Sequence, residues 1–111
     1  MKTMLALAET RQEVAVVSDQ VGSPTCALDL AQGLLTMVSR WASGGTPGQG
    51  ATYHLADSGA GSWAQVAESV FIKARRNGLH DANVRPITTA EYPTKAVRPR
   101  NSVLDSSKFA A

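Results

Sequence analysis

Cysteine is nearly absent from these 111 residues: Cys26 is the only one. An internal disulfide is thereby excluded, as is any metal site built on a cysteine pair, and the usage suits a reducing compartment. Long apolar runs are missing as well. No stretch approaches the ~20 residues that a bilayer-spanning helix requires. In Met1-Lys2-Thr3-Met4-Leu5-Ala6-Leu7-Ala8-Glu9 an acid interrupts the apolar stretch too early for a secretory signal. The chain therefore reads as cytoplasmic, with no membrane partner. Aromatic residues amount to 5%, which leaves little from which to build the stacking platforms of nucleic-acid binders, so nucleic acid is not an expected partner.

What charge there is lies unevenly. The net value is only +2, yet residues 1–70 hold three Lys/Arg against six Asp/Glu, while 71–111 hold eight against three. A basic C-terminal third suits an anion: a ligand phosphate, a nucleic acid backbone or an acidic patch elsewhere in a larger protein. A solvated basic surface is the plain alternative. The length fits one domain with one core.

Along the chain, Met4, Leu5 and Ala8 have helical spacing, predicting a short helix to Thr10 or Arg11 with no capping residue at its start. Val14-Ala15-Val16-Val17 reads as a strand buried on both faces, which favours a parallel sheet. From Cys26 to Trp41 the apolar positions Ala27, Leu30, Ala31, Leu34, Leu35, Val38 and Trp41 predict an amphipathic helix with Thr25 as N-cap. Ser43 to Gly50 has turn composition, and Thr52 to Leu55 reads as a second strand.

Ser62 and Gln65 have the spacing of a capping box for a helix whose stripe runs through Trp63, Val66, Ala67, Val70 and Ala74 and which Gly78 ends. Trp41 and Trp63, on apolar stripes, are expected in the core. Val84 to Ile87 reads as a third strand. Thr88 and Glu91 make a second capping box for a helix of one to two turns, residues 94–102 an extended loop, and Asp105 the cap of a final helix opening.

Several chemical motifs fail on inspection. Gly45 and Gly50 have phosphate-loop spacing, but Ala51 stands where lysine is needed. The order is also helix, glycines, strand, whereas a nucleotide cradle needs strand, glycines, helix. Tyr92 and Lys95 are three apart across Pro93, one short of a Tyr-x-x-x-Lys dyad. Neither His54 nor His80 has a nucleophile partner, and Cys26 reads as a small helix-entry residue. No catalytic, cofactor-binding or metal-ligating residue is assigned.

Two turns remain: Asp19-Gln20-Val21-Gly22-Ser23-Pro24-Thr25 and Arg98-Pro99-Arg100-Asn101-Ser102. In each a proline holds its predecessor in extended geometry, so polar groups project instead of entering a helix. Arg98 and Arg100 offer planar forks suited to phosphate, on a segment that loses little entropy on binding. A salt bridge anchoring the loop is the alternative.

These turns, with Val16-Val17-Ser18, Asp29-Leu30-Ala31, Tyr53-His54-Leu55-Ala56, Ser62-Trp63, Pro86-Ile87, Glu91-Tyr92-Pro93-Thr94, Val103-Leu104-Asp105 and Ser107-Lys108, strongly resemble the dTDP-4-dehydrorhamnose reductases along nearly the whole chain. The resemblance implies an α/β fold: a fragment of an extended Rossmann-type reductase, helices with a few short strands, forming the C-terminal substrate-binding lobe over 1–111. It implies NADPH or NADH for the full-length family, with hydride passing to dTDP-4-dehydro-L-rhamnose to give dTDP-L-rhamnose. The family's Gly-rich turn and Tyr-x-x-x-Lys dyad are expected upstream of residue 1, so no cofactor is expected to bind this chain alone and turnover is not expected of it.

The implied partners are a dTDP-sugar nucleotide and the Rossmann domain of the same protein. By the same resemblance Gln20, Ser23, Thr25, Arg98, Arg100 and Asn101 are expected to border the sugar-nucleotide pocket. The first helix and the Val14–Val17 strand are expected to lean on that other domain, leaving apolar surface exposed and the chain prone to self-association. A non-enzymatic anion- or protein-binding module of the same fold is the alternative.

Overall fold

The computed structural model describes every residue except Thr46, Pro47, Gln49 and Ala111. Part of the expected 43–50 turn thus lies outside the described residues. The rest is α/β, with four helices and five short strands among the described residues, and its contacts divide into two compact units: Met1–Gly22 with Ala60–Ser102, and Ser23–Gly59 with Val103–Ala111.

In the first unit, α1 (Lys2–Ala8) leads into β1 (Glu13–Val17), which pairs in parallel with β4 (Asn83–Ile87), Val14 opposite Val84 and Val17 opposite Ile87. Parallel neighbours require a crossover, and α3 (Trp63–Arg76) lies in it and packs on both strands and on α1. The core gathers Ala8, Val14, Val16, Ala64, Ala67, Phe71 and Ala82, with Met4, Leu7 and Val84 half-buried around it.

The expectation of a strand buried on both faces is overturned. Val14 and Val16 are buried while Glu13 and Ala15 are exposed, because α3 covers one face only. Ala8 of α1 and Val14 and Val16 of β1 join the core of this unit, while the other face of β1 stays open at Ala15.

Helix α3 starts where its capping box predicts. Gln65 N–H donates to Ser62 Oγ at 3.2 Å and Ser62 N–H to Gln65 Oε1 at 2.8 Å, satisfying two donors that the first turn would leave orphaned. Lys73, Arg75 and Arg76 fall at the negative end of its dipole, and Gly78, at φ +67°, makes the left-handed exit.

The buried stripe differs from the expected one: it runs Ala64, Ala67, Phe71, Ala74, turning Trp63 outward at 53% exposure. Small alanines let the helix approach the sheet closely, and the indole lies on the flank.

A second, three-stranded sheet was not expected at all. In it β2 (Val21–Gly22) lies between β3 (Gly61–Ser62), antiparallel, and β5 (Asn101–Ser102), parallel. The presumed loop 94–102 therefore ends in a strand. The second capping box forms, but Thr89–Glu91 makes a single 3₁₀ turn that stops before Pro93.

The second unit is built on α2 (Ala27–Ala42), followed by an extended segment and α4 (Ser107–Ala110). The N-cap is Cys26, not Thr25. Asp57 comes to the helix start, where its Oδ2 accepts the Cys26 N–H at 2.7 Å.

The expected strand at 52–55 does not form, since no described strand lies beside it; Tyr53 and Leu55 instead pack on α2 and α4. At Gly33 the helix runs so close to Leu55 and Phe109 that a β-carbon would collide with Leu55. Tyr53 and Phe109 meet edge to face, 6.5 Å apart. Asp105 Oδ1 accepts the Ser107 N–H at 2.9 Å at the opening of α4, although the helix itself begins at Ser107, one residue later than a cap at Asp105 would place it.

No described residue of this unit is fully buried. Leu28, Leu34, Leu35 and Val38 are each more than half exposed, and Trp41 also reaches solvent. Its periodicity makes α2 a helix, with Leu55 and Phe109 against it at Gly33, but most of its apolar stripe stays exposed among the described residues. The expected burial of Trp41 is thus overturned. Among the described residues α2 thus exposes several large apolar side chains, whereas Met4, Leu5 and Leu7 of α1 are half-buried.

Candidate functional site

The parallel pair β1–β4 has its carboxyl ends beside one another. Ser18 extends the register by donating its N–H to Ile87 O at 2.8 Å and its hydroxyl to the same oxygen at 3.1 Å. Chain leaving both strands therefore meets in one place, the region where α/β sheets present their loops to ligands. From β1 come Asp19 and Gln20; from β4 come Thr88, Thr89 and Glu91.

Asp19 Oδ1 accepts the Thr89 N–H at 2.9 Å and the Thr89 hydroxyl at 2.6 Å. Gln20 Nε2 in turn donates to Thr89 Oγ1 at 3.1 Å. The Thr89 hydroxyl holds the Asp19 carboxyl below its ordinary pKa, helped by the Thr89 N–H and more weakly by the Arg100 charge. Glu91 is lowered likewise, mainly by the Thr88 N–H and then the Thr88 hydroxyl. Both groups stay anionic and act as acceptors only.

The arginine segment reaches the same place through β5. Val21 N–H donates to Arg100 O at 2.8 Å, Val21 stands opposite Asn101, and Gly22 opposite Ser102, whose hydroxyl donates to Val21 O at 3.2 Å. A β-carbon on Gly22 would lie 3.0 Å from Ser102 Oγ, so glycine permits this close approach. Gln20, Arg100 and Asn101 are thereby neighbours along one sheet edge, although 80 residues separate Gln20 from Arg100. Arg98 is on the exposed run just before β5.

Ser23 and Thr25 belong to the second unit, where their hydroxyls hold backbone: Ser23 Oγ accepts the Leu104 N–H at 3.2 Å, and Thr25 Oγ1 donates to Ser23 O at 2.9 Å. Sequence reasoning missed Thr89, which it read only as part of a short helix. The available signal was Thr88-Thr89 following one strand, with the acid Asp19 following another.

This geometry accompanies a match over residues 1–111 to a family described as the RmlD substrate binding domain. The chain belongs to that family. Among its relatives, a dTDP-4-dehydrorhamnose reductase of Sinorhizobium fredii is 41% identical over 113 aligned residues, covering 97% of this chain and 36% of the relative. The spore coat polysaccharide biosynthesis protein SpsK of Bacillus subtilis is 43% identical over 103, covering 93% and 32%. A crystal structure of dTDP-4-dehydrorhamnose reductase from Bacillus anthracis in complex with NADP superposes with a TM-score of 0.82 at 32% identity, covering 98% of this chain and 35% of that one. The chain thus spans about a third of the length of the relatives it matches.

The NADP of that structure invites a fit test on this RmlD-type domain. Gly59-Ala60-Gly61 precedes α3, but Gly61 and Ser62 form a strand antiparallel to β2, and the capping box already occupies first-turn donors that a pyrophosphate would need. The cluster at Gly44–Gly50 follows a helix instead of opening one. These residues do not fit a dinucleotide. Among the described residues no group of three or more His, Cys, Asp or Glu could hold a metal ion, and no helix is long and apolar enough to cross a membrane.

Proposed function

We propose that the chain is the substrate-binding portion of an NAD(P)H-dependent dTDP-4-dehydrorhamnose reductase, holding a dTDP-sugar nucleotide while the remainder of the protein supplies the Rossmann domain, the cofactor and the proton donor. In the complete enzyme dTDP-4-dehydro-L-rhamnose becomes dTDP-L-rhamnose. The observation that carries this reading is the β2–β5 pairing, which sets Gln20 beside Arg100 and Asn101 at the carboxyl ends of β1 and β4. Arg100, with Arg98 close in sequence, offers charge-assisted bonds to a diphosphate, and Gln20 and Asn101 offer neutral ones to the nucleoside or sugar. Ser23 and Thr25 shape the chain leaving β2. The reading puts the protein in the cytoplasm, in keeping with its lone cysteine.

Calorimetric titration tests it. The chain is expected to bind dTDP-L-rhamnose more tightly than dTDP, to lose much of both affinities in Arg100→Ala, and to show no NADPH oxidation with the keto-sugar nucleotide by itself. Equal affinity for dTDP-L-rhamnose, dTDP and inorganic pyrophosphate would favour the non-enzymatic anion-binding module, and turnover by the chain alone would overturn the division of labour.

A further inference from the structure

We propose that Thr89 is a positioning residue that fixes the direction of the Gln20 amide, so that Gln20 Oε1 faces the ligand as an acceptor for a hydroxyl or N–H of the bound nucleotide sugar. The proposal rests on the substrate-binding reading above and assigns the polarity of one of its contacts.

The direction follows from the chemistry of the chain of bonds. An ionised carboxylate only accepts, so the Thr89 hydroxyl, 2.6 Å from Asp19 Oδ1, must give its proton to Asp19. Its oxygen then has lone pairs alone for its other neighbour. Whatever Gln20 turns toward it at 3.1 Å must be a donor, which is the amide nitrogen. The Thr89 N–H, held by the same Oδ1 at 2.9 Å, fixes the residue's backbone, leaving the hydroxyl no freedom to reverse.

With one N–H of Nε2 given to Thr89 the amide can no longer flip, so the atom on the opposite side, which Gln20 can offer a ligand, is the carbonyl oxygen. A carbonyl repels phosphate oxygens and pairs with donors. Arg100 beside it has the opposite preference, so the two side chains sort a ligand into an anionic part and a donor-bearing part. An amide free to turn would discriminate less, because it could meet either.

Thr89→Val keeps the shape of the side chain and removes the hydroxyl; Thr89→Ser retains it. For the ligand-bound arm, dTDP-L-rhamnose is titrated into wild type, Thr89→Val, Thr89→Ser, Gln20→Ala and the Thr89→Val/Gln20→Ala double variant. Thr89→Val should weaken binding roughly fivefold and Thr89→Ser should restore it, with the double variant no weaker than Gln20→Ala alone. Repeating the series with dTDP locates the donor: a Thr89→Val loss seen only with the sugar assigns it to a sugar hydroxyl, and one seen with both assigns it to the nucleoside. Additive losses, or no loss with either ligand, overturn the proposal.

A second arm needs no ligand. By NMR at neutral pH, the Gln20 side-chain NH₂ signals should shift and exchange faster with water in Thr89→Val but not in Thr89→Ser. Unchanged signals overturn the relay whatever the titrations give. Altered signals in a protein that binds neither ligand leave the relay standing and overturn the substrate reading and the contact with it.

Discussion

The Thr89 hydroxyl lies 2.6 Å from Asp19 Oδ1 and joins residues 70 apart in sequence. This bond ties the chain leaving β1 to the chain leaving β4, and it has a pH signature. Asp19 and Glu91 both have folded pKa values below their ordinary 3.8 and 4.5, chiefly through hydrogen bonds from Thr89 and Thr88 respectively. A depressed carboxylate contributes stability that is fully present above its unfolded pKa and is lost as pH falls through the folded one. The melting temperature should therefore hold down to about pH 5 and drop below it, and the drop should be shallower in Asp19→Asn/Glu91→Gln. Thermal melts across a pH series check this; parallel curves for the two proteins would refute it.

The core makes a sharper claim. Phe71 is 2% exposed and packs with Val14, Val16 and Ala67, whereas Trp63, on the same helix, is 53% exposed. Phe71→Ala should destabilise the first unit by about 3–5 kcal/mol, through lost burial and the cavity left behind. Trp63→Ala should change it by less than about 1 kcal/mol, the usual scale for surface positions. Urea denaturation measures both, and comparable losses would mean that the indole is a core residue after all.

These residues also show what a sequence can and cannot disclose. The Ser62–Gln65 capping box was readable because both partners lie within one turn of chain, and β1 because the valines of Val14-Ala15-Val16-Val17 announce a strand. Strands β2 and β5 hold two residues each, too few for any periodicity, and their pairing joins positions 80 apart. A helical stripe reports that one face is apolar and not what covers it; hence the inward assignment of Trp41 and Trp63 failed. The candidate site was legible as two proline-marked turns. Their adjacency at one sheet edge, and the part of Thr89, depend on tertiary pairing.

Helix α2 provides a case where the cap came from afar. Asp57 accepts the Cys26 N–H at 2.7 Å, while Thr25 Oγ1 is turned to Ser23 O. Asp57→Ala should thus remove about 1 kcal/mol of local stability, and Thr25→Ala should cost less. Amide hydrogen exchange over Cys26–Leu30 reads this directly: faster exchange is expected in Asp57→Ala, and the reverse ranking would restore Thr25 as the cap.

The same helix exposes Leu28 at 79%, Leu34 at 54%, Leu35 at 60% and Val38 at 56%. Leu28 and Leu35 are seven residues apart and so share one helical face, and Leu34 and Val38 are four apart on adjoining ground. Contiguous apolar surface of this kind drives association in water, so light scattering of the isolated chain should show an average mass that rises with concentration. Leu28→Glu/Leu35→Glu places like charges seven residues apart on that face and removes apolar area at no cost to the buried set Ala64, Ala67, Phe71 and Ala74, which lies on α3. The variant should scatter as a monomer with the melting temperature of the first unit unchanged. Association that persists undiminished would shift the sticky surface elsewhere, to exposed positions such as Ile72 and Leu79, and would break the link between the uncovered stripe of α2 and the solution behaviour of the chain.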